Sequence, residues 1–246
     1  MCFSPEVSFV AGVVIASIGI ATLRKVAYRE EILFAAIPLL FASQQFIEGS
    51  LWLVLQKGGM PMPQYWLTQI FSAYAGIIWP ILVPLSIFMI EGNEDRKKVL
   101  GLLFIMGFGI AIYMAYGMMV GEISSQVVGH CIQYNYPLSQ GHYVKWIYLA
   151  IVGLPFFLSR HPILHKIGII NIIMFFIAYY AYTETYVSVW CFFAAVISGL
   201  IYFYFRAILK GKSSTASYAA RKHVFVKSHP QVKITIMRRL LCYQLQ

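Results

Sequence analysis

Residues 32–55 read ILFAAIPLLFASQQFIEGSLWLVL. One ionisable side chain, Glu48, interrupts an otherwise uncharged run. A helix rises about 1.5 Å per residue and a bilayer core is about 30 Å thick, so about 20 apolar residues suffice to cross it. This run is therefore read as a membrane span. A carboxylate at membrane depth is expensive in lipid and normally faces a bundle interior or a wet cavity, with a partner. Gln44, Gln45 and Trp52 stand three or four residues from Glu48, on one face of the helix. The same stretch sets the fold class and nominates a site.

Composition agrees. The chain has 246 residues, 60% hydrophobic and 11% charged, with a mean hydropathy of +0.72. Soluble domains carry about 25% charged residues. Seven apolar runs are readable, over 6–23, 32–55, 66–90, 98–121, 143–158, 164–183 and 186–205. The predicted fold is all-α: a polytopic seven-transmembrane-helix bundle over 1–206, followed by a basic tail over 207–246. The fifth run is short and ends near Pro155.

Charge sets the orientation. Arg24, Lys25 and Arg29 follow run one, Arg96, Lys97 and Lys98 follow run three, and Arg160 and Lys166 follow run five. Nine more basic residues follow run seven, leaving only Lys57 and Lys145 on the other side. Positive-inside topology then puts the N-terminus outside and the C-terminus in the cytoplasm. The first run lacks a basic leader and a small-residue cleavage site, so it is read as a reversed signal-anchor. The net charge of +10 lies in loops and tail, which argues against nucleic acid and for anionic lipid under the tail. In the tail, Gly211–Thr215 reads as a linker and Val232–Ile236 alternates like a short strand. The lipid bilayer is the expected partner and the cell membrane the expected location.

This topology gathers polar residues toward one side. Glu48 falls about 24 Å across the core, and Cys191 about 8 Å below Glu184 at the outer boundary. Gln69 starts run three at that level, and the loop after run four adds His130, Cys131 and His142. The inner halves of the runs are almost purely apolar. The candidate ligand-binding set is Gln44, Gln45, Glu48, Trp52, Gln69, Glu184 and Cys191, around an outward-facing polar pocket for a small solute or ion. Glu48, His130 and Glu184 form the donor set that a divalent metal would use, and a metal-dependent hydrolase at the outer leaflet is the alternative function. Plainer roles stay open: interhelical hydrogen bonds for the glutamines, a structural carboxylate at Glu48, packing for Cys191. Cys2, Cys131 and Cys191 share the outer side, where a disulfide among them would be stable. His161 and His165 flank Pro162 beside Arg160 and Lys166, a setting for lipid headgroups rather than metal. Run seven holds no lysine for a retinal Schiff base.

The opening Met1-Cys2-Phe3-Ser4, the pair Leu23-Arg24, Ile37-Pro38-Leu39-Leu40, Gln44-Gln45-Phe46-Ile47-Glu48-Gly49 with Trp52, and Trp190-Cys191-Phe192-Phe193 carry a resemblance. The chain resembles an uncharacterised bacterial family of small seven-helix membrane proteins that open Met-Cys-aromatic-Ser. The resemblance implies the fold, the topology and a bacterial inner membrane. It implies no mechanism.

Overall fold

A computed structural model describes residues 4–136, 142–193 and 196–208. The chain divides into two compact units, Met1–Tyr204 and Phe205–Gln246. Cys2, the linker and strand-like segment of the tail, and Cys242 lie outside the described residues.

Helix α1 (Pro5–Leu23) begins where its sequence says it should. Ser4 is the N-cap and accepts from the Val7 N–H, Pro5 opens the first turn and Glu6 sits in it. Its buried stripe is Ser8, Gly12, Ile15, Gly19 and Thr22. Helix α2 (Ile32–Gln56) runs back along it. Gly12 abuts the Phe46 ring, Gly19 abuts Leu39, and Gly49 abuts Phe9. Residue numbers rise along one helix as they fall along the other, so the pair is antiparallel. Without a hydrophobic driving force in lipid, such close approach at small residues supplies the packing energy.

The third apolar run starts earlier than its hydropathy suggested. Helix α3 (Pro61–Ala73) has Pro61 in its first turn, a position where a missing N–H costs nothing. A π-helical turn, Tyr74–Ile78, then joins it to α4 (Trp79–Ile90). Inside α4, Pro84 has no N–H for the carbonyl of Pro80. That carbonyl oxygen faces Gly107 of α5 (Glu94–Val120), where any Cβ would lie 1.9 Å from it. Only glycine fits this crossing.

The loop after α5 holds a hairpin that helical and hydropathy reading passed over. Strands β1 (Ser124–Val128) and β2 (Cys131–Asn135) pair antiparallel, from Ser124 opposite Asn135 to Val128 opposite Cys131. Gly129 opens the two-residue turn with φ +59°, the left-handed conformation a tight hairpin needs. Ile123, Ile132 and Tyr134 are buried against Leu51, Trp52, Phe71 and Cys191. The Tyr134 ring stacks on Phe71 with centroids 4.4 Å apart. Gln64 donates to the Ser125 carbonyl at 2.9 Å, and the Thr68 and Ser125 hydroxyls meet at 2.7 Å.

Helices α6 (His142–Leu158), α7 (Pro162–Ala181) and α8 (Tyr186–Phe192) follow, and residues 196–208 are again helical. Among the described residues, six helices are long and apolar enough to cross a membrane: Pro5–Leu23, Arg29–Gln56, Pro61–Ile90, Glu94–Val120, Pro162–Ala181 and Tyr186–Ile208. Tyr143–Leu158 is apolar but shorter. The chain is a mostly helical, multi-pass membrane protein.

At the opposite end of the helices from the hairpin, Glu91 ties two loops together. Its Oε1 accepts from the Gly92 and Asn93 N–H groups, at 2.9 and 3.0 Å, and its Oε2 accepts from the Arg160 N–H at 2.8 Å. The Arg160 guanidinium stands 3.9 Å from Oε1 and covers Gly92. Burial raises the Glu91 carboxyl, but these backbone donors outweigh it and hold the group below the usual carboxylate range. His161 and His165 are structural here: His161 meets the Tyr204 ring edge-on, and the His165 Nε2 lies 2.7 Å from the Ser159 carbonyl.

Candidate binding site

Helical spacing puts Gln44, Gln45, Glu48 and Trp52 on the inner side of α2, and all four are buried. Glu48 has no exposure at all. Ser188 of α8 donates its hydroxyl to Glu48 Oε1, and the Gln45 amide donates to Oε2 at 3.4 Å. Gln44 turns toward other partners. Its amide nitrogen lies 3.3 Å from Cys191 Sγ, and its oxygen accepts from the Trp79 indole at 3.0 Å. Helices α4 and α8, far apart in sequence, thus converge on one turn of α2. Among the described residues, Gln45 Oε1, Trp52 Nε1 and Gln69 Nε2 are buried with no hydrogen-bond partner. Buried polar groups are nearly always paired, which makes these three atoms exceptions.

The remaining nominated residues separate. Trp52 serves in the apolar cluster beneath the hairpin, with Phe71 and Cys191. Gln69 is buried in α3. Glu184 and His130 are exposed, in the α7–α8 turn and the hairpin turn. Among the described residues, no three His, Cys, Asp or Glu side chains gather as a metal ion requires. The donor set Glu48, His130 and Glu184 is therefore not assembled, because the hairpin carries His130 out on its turn while Glu48 stays in the bundle. Cys131 and Cys191 are buried and not bonded to each other. His142 begins α6, but its side chain lies outside what is described.

Beside this network lies an aromatic chamber that no sequence motif announced. A cavity of about 60 Å³ is bounded by Phe41, Trp79, Tyr148, Phe156, Asn171 and Trp190. A second, of about 50 Å³, is bounded by Tyr136, Lys145, Phe175, Tyr186 and Val187. Tyr148, Trp190 and Cys191 wall both. Trp190 is fixed between them: its indole donates to Asn171 Oδ1 at 3.1 Å, and it meets Phe175 edge-on at 4.9 Å. Tyr148 donates to the Ala75 carbonyl at 2.6 Å, at the π-helical turn. Burial raises the Tyr136 phenol, opposed by the Ser72 hydroxyl beside it, so it is neutral at ordinary pH. Asn171 was the available signal, a polar residue at the middle of an apolar run.

The model of one family matches residues 1–217. The chain belongs to DUF6629, a family of unknown function. No curated protein and no solved structure matches it. Membership agrees with the resemblance to an uncharacterised family.

Proposed function

We propose that this member of DUF6629 is a seven-span protein of a bacterial inner membrane, with the N-terminus outside and the C-terminus in the cytoplasm, that binds a small solute inside its helix bundle. The observation that carries the reading is the pair of aromatic-walled cavities set against the buried Gln44–Glu48–Ser188 network. Concave, mostly apolar sites with a few placed polar groups are the usual form of a small-molecule site. Tyr148, Trp190 and Asn171 form the walls, Gln44 and Cys191 join wall to network, and Gln45 and Glu48 orient them. Gln69 and Trp52 support the turn from α3 and the hairpin side. Glu184 stands at the rim. The shorter helix, Tyr143–Leu158, supplies the seventh span, and the charge partition supports the orientation. The basic tail meets anionic lipid in this reading.

The pocket favours a receptor-like binder over a carrier, because a carrier needs polar breaks in both halves of its helices. Purified protein in nanodiscs, screened with small neutral and charged solutes by thermal shift and tryptophan fluorescence, should give saturable binding. Val152→Phe, which intrudes on the cavity, should abolish it, while Val14→Phe on an exposed face of α1 should not. No saturable solute anywhere in the screen would sink the reading. Solute uptake into proteoliposomes would replace the receptor with a carrier.

A further inference from the structure

Resting on the solute-binding reading, we infer that the ligand is a small organic monoanion, a short-chain carboxylate, whose charged end meets Lys145. Among the described residues, Lys145 is the one charged side chain lining either cavity. Its ammonium donates to the Tyr179 hydroxyl at 2.7 Å and lies 4.6 Å from the centre of that ring and 5.9 Å from the Trp146 ring. An ammonium carries three donors, so this leaves two. All nine acidic residues fall among the described residues, and the ion pairs they make with other described residues are Lys97–Glu94, Lys98–Asp95 and Arg160–Glu91. Lys145 has no carboxylate partner in this set. A half-buried cation held by aromatic faces, with donors to spare, at the wall of an aromatic cavity, selects an anion.

Size narrows the class. One water-sized group needs about 10–15 Å³ of such space, so cavities of about 50 and 60 Å³ each hold about four or five. Long-chain fatty acids and phospholipids are too large. A carboxylate on a short apolar chain fits: its head reaches Lys145 at the N-terminal end of α6, and its chain lies against Tyr148 and Trp190.

Butyrate and its neutral isostere butyramide test this on wild-type protein in nanodiscs, by saturation-transfer NMR and tryptophan fluorescence. Butyrate should bind at least about tenfold more tightly than butyramide, the size of one charge-assisted hydrogen-bond difference. Lys145→Met should erase that preference and Lys145→Arg should keep it. Equal binding of the two solutes by wild type would overturn the inference, as would a Lys145→Met variant that keeps the preference. The wild-type comparison decides the matter even if Lys145→Met fails to fold. Butyramide binding with Lys145 indifferent refutes the carboxylate and leaves the solute-binding reading standing; no binding of any solute in the wider screen refutes both.

Discussion

Two buried glutamates sit near opposite ends of the bundle and are treated in opposite ways. Glu91 is 2% exposed and Glu48 not at all. Glu91 accepts from three backbone N–H groups and has the Arg160 guanidinium beside it. Those donors belong to the loops that join α4 to α5 and α6 to α7, so the carboxylate is a fastener. Glu48 accepts from one hydroxyl and one amide, inside a region where further buried polar atoms lack partners. A carboxylate saturated by the backbone spends its capacity on holding loops; one held only by side chains keeps capacity for something else.

The largest effect should come from the fastener. Glu91→Ala strands three backbone donors and leaves Arg160 without its counter-charge, and should cost about 3 kcal/mol or more. The reading is loss of monodisperse protein or a steep fall in thermal midpoint; an unchanged midpoint would erase the distinction between the two glutamates.

Acid should attack the same end next. Glu91 is held below its ordinary value of 4.5, so its contribution is complete above that pH and lost as pH falls through the lowered value. His161 is held below 6.5 by burial first and by Arg160 second, with Glu91 opposing. Its neutral form is the folded one, so its contribution is complete above 6.5 and lost as pH falls through the lowered value. The thermal midpoint should fall in two stages on acidification, and His161→Phe should remove the upper stage alone. A midpoint flat from neutral pH to well below 4.5 would show that neither group is linked to folding.

At the other end the effects should be smaller. Ser188→Ala removes one donor to Glu48 and should cost about 1 to 3 kcal/mol, measured by thermal denaturation in detergent. Glu48→Gln keeps a side-chain oxygen to accept from Ser188 and should change stability by less than about 1 kcal/mol while weakening solute binding. A large stability loss in Glu48→Gln, equal to that of Glu91→Ala, would make Glu48 a second fastener and remove the basis for a site around it.

Much of this was legible from residues alone. The apolar runs announce the long helices, and the polar face of α2, with Gln44, Gln45 and Glu48, announces its buried side. Glu91 was not legible, since a carboxylate beside a basic loop reads as solvated charge, and its partner Arg160 lies 69 residues on. The hairpin was missed because its strands are short and carry no apolar alternation strong enough to stand out beside apolar helices.

What the sequence by itself determined is what the bilayer demands as a solvent: long apolar helices, charge at their ends, and a carboxylate that must face inward. These are local properties, written in runs of neighbouring residues. Which side chains meet was decided only by tertiary packing. Ser188 lies 140 residues from Glu48, and Cys191 lies 147 from Gln44. No spacing rule links residues so distant. Gly12, Gly19 and Gly107 set how closely helices approach, and that approach builds the network, the chamber and the place of Lys145 at its wall.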